Sequence, residues 1–298
     1  MDKEFALFVQ LVISGIATGS VYALVALGFV LIYKATDVLN FAHGELMMMG
    51  AYFCFAFITQ AHLPFVPAFL FTLIAMAVFG FLIELTVLRP LLGEPIFSMV
   101  MVTIGLSILL RGIVGLFWGH EEFPFPSPFP KTAINVGGIA ISHAHLWTIL
   151  VTGLFLTIFL LFFKYSKLGL GMRATAEDQD VSFLMGINIK RIFTISWSIA
   201  AVVASVAGVA LASVSFMHPL MSHIGLRAFP AAVLGGLDSI GGAILGGIII
   251  GVTENLAGGY VDHIFGGGVK EITAFIVVLI VMMVKPYGFF GTEEIERV

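Results

Sequence analysis

KYSKLGLGMRATAEDQDVSFLMGINIKR, Lys164–Arg191, is a charged stretch of 28 residues set between apolar runs long enough to cross a bilayer. Five of its side chains, Lys164, Lys167, Arg173, Lys190 and Arg191, are cationic. Loops enriched in Lys and Arg stay on the cytoplasmic side of a membrane, so this stretch fixes the orientation of everything around it. Thr175-x-x-Asp178 has capping-box spacing. The Thr175 hydroxyl is therefore expected to cover a free amide at a helix start. Gly186 suits the other end, where a left-handed residue often terminates a helix. The predicted Thr175–Gly186 helix carries Ala174, Val181, Leu184 and Met185 on one stripe with Glu177 at its edge. Such a stripe outside the membrane is a surface suited to docking.

Outward from that loop the chain is apolar. Of its 298 residues 59% are hydrophobic and 11% charged, and the mean hydropathy is +1.09. A soluble domain has roughly a quarter of its residues charged. The composition therefore gives one all-α, polytopic transmembrane domain over residues 1–298, with about eight membrane segments and little mass outside the bilayer. Abundant Gly (33 residues) fits close helix approach within lipid. The net charge of −4 comes with no basic patch, which excludes nucleic acid as a partner. Cys54, the sole cysteine, rules out an internal disulfide. The start MDKEFALFVQ is acidic as well as basic and leads into a run long enough to span, so no cleavable signal is expected.

The spanning segments are expected at Phe5–Tyr33, Phe41–Thr59, Pro64–Leu88, Ile96–Trp118, Leu146–Phe163, Ile192–Phe216 and Ile272–Val284. The run 226–256 differs. Its first part, Leu226–Leu237, is too short to cross, since spanning takes ~20 residues. LGGLDSIGG interrupts it before Ile240–Leu256. We read a re-entrant half-helix, a glycine turn and a helix returning to the same side, with the irregular backbone buried in protein or lining a cavity. Counting from the basic loop 164–191, Lys34 and Arg89 fall inside. His62 and the Pro-rich periplasmic loop 119–145 fall outside, the N-terminus is outside, and the tail with Lys285 and Arg297 is inside. Prolines 124, 126, 128 and 130 favour a stiff, extended loop, either a cover for the pore mouth or a plain connector. His143-x-His145 is weak evidence for a metal. Those two, with His62, His120, His218, His223 and His263, are read as solvated.

Several motifs carry a family resemblance. YKATDVLNFAHGELMMMGAY, residues 33–52, resembles the second-helix segment of permeases in the high-affinity branched-chain amino-acid ABC transporter family, the H-type subunit in particular. So does Glu84-x4-Arg89-Pro90-Leu91. Arg173-Ala174-Thr175-Ala176-Glu177-Asp178, with Gly186-Ile187-Asn188, is similar to that family's ATPase-docking loop. AAVLGGLDSIGGAILGGIIIGVTEN is similar to its glycine-rich region, and KPYGFFG to its closing motif. The resemblance runs from about Gly15 to Gly291. Asp238 and Gly241 stand where the family usually has Gly and Pro, and Arg111 where it has an uncharged polar residue; these departures bear on the substrate more than on the fold.

The resemblance implies a non-catalytic subunit of a bacterial inner-membrane importer, pairing with a second, related permease. Two cytoplasmic ATPases would bind ATP and Mg, and a periplasmic binding protein would deliver branched-chain or other hydrophobic amino acids. It implies alternating access with Thr175–Gly186 as the lever. Urea, short amides and small aromatic acids remain alternative cargoes. The chain has no GxxxxGK[ST] loop, so nucleotide must be handled by another chain. A stand-alone transporter or channel would need embedded carboxylates, for which Glu45, Glu84, Asp238 and Glu254 are the candidates. A membrane enzyme would need a convergent His/Asp/Cys cluster, which the sequence does not offer.

Two readings stand for each embedded polar residue. Asn40 and His43 share a helical face and Glu45 points away from it. They line the translocation path, or Asn40 caps the helix while the others form packing hydrogen bonds. Arg111, two turns before Trp118, snorkels outward or presents a charge to a carboxylate, the former being preferred. For Glu84 and Arg89 a structural ion pair within the chain, or to Lys34, is expected rather than transport chemistry, and Arg89 can snorkel. Glu177 and Asp178 complement a helix start and, in the docking reading, meet the ATPase. Gly235, Gly236, Gly242, Gly246, Gly247 and Gly251 are close-packing positions, within the chain or against the second permease. Asp238, in the glycine turn, tunes a polar substrate or stabilises the turn.

Overall fold

A computed structural model of the protein describes residues 3–130, 132–136 and 139–291. In chain order the helices are α1 (Lys3–Thr36), α2 (His43–Thr59), α3 (Phe65–Ile83), α4 (Ile96–Trp118), α5 (His143–Tyr165), α6 (Lys167–Glu177), α7 (Gln179–Leu184), α8 (Ile189–Val214), α9 (Ser222–Arg227), α10 (Phe229–Gly235), α11 (Ile240–Phe265) and α12 (Val269–Val284). A wider helical turn over Glu84–Leu88 and a tight one over Arg89–Leu91 prolong α3. Among the described residues six helices are long and apolar enough to cross a membrane: α1, extended α3, α4, α5, α8 and α11. α2 and α12, with 17 and 16 residues, approach that length. The architecture is the all-α polytopic bundle that the composition requires.

α1 is the axis. Of its most apolar stretch 89% is buried, against 22% for α5 and 28% for α3 and α4. An all-round apolar helix can sit at the centre of a bundle, but its neighbours must come close to exclude lipid. α1 allows this through Gly15, Gly19 and Ala23. α11 runs antiparallel along it with Gly247 against Ala23, Gly251 against Gly19, and Val252 against Gly15. A Cβ at any of those glycines would collide with the facing backbone. The opposite stripe of α11 packs on α10, Gly242 against Gly235 and Gly246 against the Ala231 carbonyl. The paired small residues of the glycine-rich region are therefore used within the chain. A contact with a second permease is not what occupies them.

α8 makes the other close contacts, with Gly208 on α8 and Gly50 on α2 both meeting partner backbone, and Gly80 on α3 meeting the Trp197 carbonyl. α3, α4, α5 and α12 form the periphery, and their exposed Leu, Ile, Val and Phe side chains suit lipid.

The segment after α8 crosses the bundle in pieces. The strand β4 (Phe216–Met217) pairs with β1 (Phe123–Pro124), and α9 and α10 then descend to the Gly236–Ser239 turn. That turn lies beside Lys34, whose ammonium donates to the Asp238 carbonyl at 2.6 Å. The inward and outward legs expected of 226–256 are present. The turn reaches the Thr36 end of α1, and the outward leg runs on to Phe265, because the α1 glycines continue to accept α11 as far as Gly15. Gly236, at φ 102°, ends α10, and the closing segment covers the carbonyls left over. Phe289 N–H donates to Leu234 O at 2.9 Å and Phe290 N–H to Gly235 O at 3.1 Å.

The Pro-rich loop is folded down rather than projecting. Phe125 is buried against Phe65, and Phe129 stacks on Trp147 with ring centroids 5.0 Å apart. A hairpin of β2 (Ala133–Val136) and β3 (Ile139–Ser142) leads into α5. Lys131 and residues 137–138 of this loop, and the tail 292–298 with Arg297, lie outside the described residues.

Gly251→Leu should lower stability by about 3 kcal/mol or more, because the added side chain meets Gly19 backbone with nowhere to move. Gly112→Ala, where the new methyl meets nothing within 4 Å, should be neutral or slightly stabilising. Thermal unfolding of both variants in detergent checks the contrast.

Candidate functional site

The first polar group lies where α2 begins. Asp37 takes a left-handed conformation (φ 54°) and turns the chain back after α1. His43 packs on Gly28 of α1, with its ring 4.8 Å from that of Phe29 between centroids. Gly28 is eight residues before Thr36, so α2 starts about 12 Å inside the bundle at 1.5 Å per residue. A helix start at that depth needs local polar partners. The Asn40 side chain accepts from Ala42 N–H at 3.0 Å, and His43 N–H donates to Asn40 O at 3.1 Å. Asn40 thus forms a turn ahead of the helix. Its amide nitrogen is buried without a partner. Neither His43 ring nitrogen has a partner of ordinary geometry, although the Val25 carbonyl lies beside the ring.

Glu45 faces the other way, onto α4. Its Oε1 accepts from Arg111 Nη2 at 2.6 Å, with the carboxylate 2% and the guanidinium side chain 30% exposed. Arg111 therefore does not snorkel toward Trp118, as preferred from the sequence. A buried carboxylate one helix away is a better partner than a distant interface, because each ion would otherwise stand uncompensated in a low dielectric. Glu45 Oε2 and Arg111 Nε remain without partners, so the pair can accept further polar contacts.

A second ion pair closes the Arg89 end of the prolonged α3. Arg89 grips the buried Glu84 in a fork, Nε to Oε1 at 3.2 Å and Nη2 to Oε2 at 2.9 Å. The Thr194 hydroxyl of α8 lies 2.8 Å from Glu84 Oε2 and accepts from Arg89 Nη2 at 2.7 Å. This is the structural pair expected from the sequence, and Lys34 takes no part in it.

The charged loop is two helices, not one. α6 starts at Ser166, whose hydroxyl accepts from Gly169 N–H at 2.8 Å. Arg173 reaches back to the Phe163 carbonyl at the end of α5. Thr175 is inside α6, buried, with its hydroxyl donating to Gly171 O at 2.9 Å. It therefore caps nothing, and Ala174, Ala176 and Glu177 belong to the end of α6 rather than to a helix start. The break falls at Asp178 (φ −158°, ψ 115°), whose carboxylate caps α7 by accepting from Val181 N–H at 2.9 Å. An aspartate at that position outcompetes the threonine because its side chain is free of the preceding turn. Gly186, at φ 84°, ends α7 as expected. Phe183, Leu184 and Met185 are 68%, 82% and 79% exposed.

Ala176, Glu177 and Asp238, which the sequence treats apart, come together. With Lys34 and Asp37 of the α1 end and Tyr287 of the closing segment they line a cleft of about 490 Å³. Asn40, His43, Glu45 and Arg111 are not in it. Among the described residues no group of three His, Cys, Asp or Glu side chains is placed to hold a metal ion.

Residues 11–285 match the family model described as branched-chain amino acid transport system / permease component. The chain belongs to that permease family. It is 34% identical to the high-affinity branched-chain amino acid transport system permease protein LivH of Salmonella typhimurium, with all of both chains covered. It is also 34% identical to BraD, of the same description, from Pseudomonas aeruginosa, over 98% of each chain. Among solved structures it is similar to PsaBC from Streptococcus pneumoniae in complex with Fab, at 18% identity and a TM-score of 0.47, covering 95% of this chain and 92% of that one.

Two polar features of this branched-chain permease escape the sequence reading. Thr194 gave no signal, since a lone Thr at a helix start is common. Tyr22, buried in α1, donates to Glu254 Oε2 of α11 at 2.8 Å. Glu254 was visible as an embedded carboxylate, but its partner lies 232 residues away in sequence.

Arg111→Met should destabilise the permease by about 3 kcal/mol, by stranding Glu45. Adding Glu45→Leu should recover most of that loss. A double-mutant cycle on thermal unfolding measures the coupling.

Proposed function

We propose that this permease is one of two membrane subunits of an ATP-driven importer of branched-chain and related apolar amino acids in a bacterial inner membrane. The single observation that carries the reading is α7. It is a six-residue helix, bounded by an extended Asp178 and a left-handed Gly186, with three large apolar side chains turned outward at the Thr36 end of the bundle. In the orientation given by Lys164, Lys167, Arg173, Lys190 and Arg191 that end is cytoplasmic. Exposed Phe, Leu and Met on a capped helix beyond the spans fit a groove on an ATPase subunit.

In this reading the ATPase pair moves α6 and α7 as it closes on nucleotide. α7 leads directly into α8, and Thr194 ties α8 to Glu84 and Arg89. Glu177 shares its cleft with Lys34 and Asp238, so displacement of α6 bears on α1 and on the turn ahead of α11. The permease then alternates between outward- and inward-open packings, receiving cargo from a soluble binding protein and doing no bond chemistry. The substrate class rests on the names carried by the LivH and BraD relatives.

Leu184→Glu combined with Met185→Glu should abolish leucine uptake and co-purification of the ATPase subunits, while membrane level stays within twofold of wild type. Normal uptake by the double variant would remove the docking role from α7. Asp178→Ala should cost about 1 kcal/mol of local stability and partially uncouple ATP hydrolysis from uptake, read as a lowered leucine-to-ATP ratio in proteoliposomes.

A further inference from the structure

Part-way along α1, displaced from the cleft toward Lys3, a cavity of about 250 Å³ opens between the Ser14–Tyr22 stretch, Asn255 within α11, and the ends of α5, α8, α9 and α12. Its walls have two characters. Val21, Leu211, Val214 and Ile224 make an apolar side. Arg227 and Lys270, with His145 beside them, make a polar side; no Asp or Glu lines the space, though Glu254 lies behind Tyr22 and close enough to act on both cations.

Both cations are held in place. Arg227 ends α9, at the break before α10, and is held by an ion pair at 2.9 Å with Glu271, which is 63% exposed and is not among the lining residues. Lys270 donates to Asn255 Oδ1 at 3.3 Å, and Asn255 is itself fixed by donating to Gly251 O at 2.8 Å. Tyr22 lines the cavity with its hydroxyl proton committed to Glu254, so its ring is locked between α1 and α11. Glu254 is fully buried, and its Oε1 has no partner. Irregular backbone at a broken helix is tolerated where it lines a cavity, and breaks of this kind are where transporters bind solutes.

We propose that this cavity is a solute-binding site for a small carboxylate bearing a short apolar tail, of the α-amino-acid class. The carboxylate meets Arg227 and Lys270, and the tail lies on Val21, Val214 and Ile224. The amino-acid assignment rests on the importer reading above; the carboxylate-plus-apolar chemistry does not. Two cations held in place at a cavity wall bind a carboxylate more strongly than mobile surface lysines do, through charge-assisted hydrogen bonds. The apolar wall rejects polar side chains, which would lose their water without replacement. In the proposed orientation the cavity lies part-way along α1, displaced toward the side that receives solute.

The test uses the assembled transporter in nanodiscs. Thermal protection and binding are measured with L-leucine, isovalerate and the neutral isovaleramide, and L-leucine uptake is measured in proteoliposomes. Leucine and isovalerate should protect and isovaleramide should not. Lys270→Gln and Val214→Phe should each weaken carboxylate binding roughly ten- to hundredfold, while Lys270→Arg restores it to within a few fold. Val214→Phe fills the cavity without touching a charge, so agreement between the two variants separates loss of the site from loss of the fold. If leucine is taken up normally by Lys270→Gln and by Val214→Phe, the site is wrong and the importer reading stands. If isovalerate protects and both variants abolish that protection, yet no leucine is taken up by wild type, the site stands and the amino-acid reading falls. Equal protection by isovaleramide and isovalerate overturns the proposal.

Discussion

Backbone contact between α1 and α11 is the constraint on which the rest depends. In lipid there is no hydrophobic gain from bringing two apolar helices together, so association must come from close packing and polar contacts. Gly15, Gly19 and Ala23 on one helix and Gly247 and Gly251 on the other let the backbones touch where the two helices cross, between Gly15 and Ala23. Because α1 is then covered on nearly all sides, its polar side chains can only be satisfied from within. Tyr22 finds Glu254, and Lys34 finds the Asp238 carbonyl. The glycine-rich region is thus a packing device before it is anything else.

The outer helices are attached by a different means. α4 is linked to α2 by Arg111 and Glu45, and the Arg89 end of extended α3 to α8 by Arg89, Glu84 and Thr194. Each link places a carboxylate 2% exposed against a guanidinium about one-third exposed. Glu45 has one oxygen without a partner and faces a cation still partly reachable by polar groups, so that contact can be exchanged for another. Fully satisfied, dry pairs fix a single packing, whereas this one leaves room for two. In a subunit proposed to alternate between two packings, the half-satisfied Glu45–Arg111 pair between α2 and α4 is a physical means of keeping both within reach, whereas the forked Glu84–Arg89 pair fixes its joint.

How legible all this was depended on range. The eight apolar runs, the inward and outward legs around LGGLDSIGG, and the Gly186 helix end all follow from composition and spacing within about 20 residues. The Gly15-x3-Gly19 motif was equally visible and is the partner that α11 needs. What failed was competition between neighbouring local options. Thr175 and Asp178 both suit a helix start, and the choice turned on the burial of Thr175 inside α6, which the packing of α6 against α1, α5 and α8 determines. Arg111 failed for the same kind of reason. Nothing within α4 announces that Glu45 is adjacent, and a sequence without a partner in view makes the membrane edge look like the nearest refuge. Ala176, Glu177 and Asp238 share a cleft because α6 and the α10–α11 turn both end at the level of Lys34, a coincidence of heights that no local pattern encodes.

That coincidence bears on mechanism. The cleft at Lys34 and the cavity at Ser14–Tyr22 lie along one continuous helix, and 20 residues at 1.5 Å each separate Ser14, the far edge of the cavity, from Lys34 by about 30 Å. A change at one end can reach the other only through elements that move as units. α1 and α11 qualify, because glycine contacts on both leave little freedom to slide; any shift at Lys34 and Asp238 must carry the pair as a body. α9 and α10 do not qualify. They are short, broken at Ala228, and held between α2 and α11 by contacts at Gly44, Gly225, Gly235 and Gly242. A rigid pair thus lies beside a jointed segment, with Arg227 at the joint. In the proposed site, separating Arg227 from Lys270 would leave a bound carboxylate with one cation in place of two.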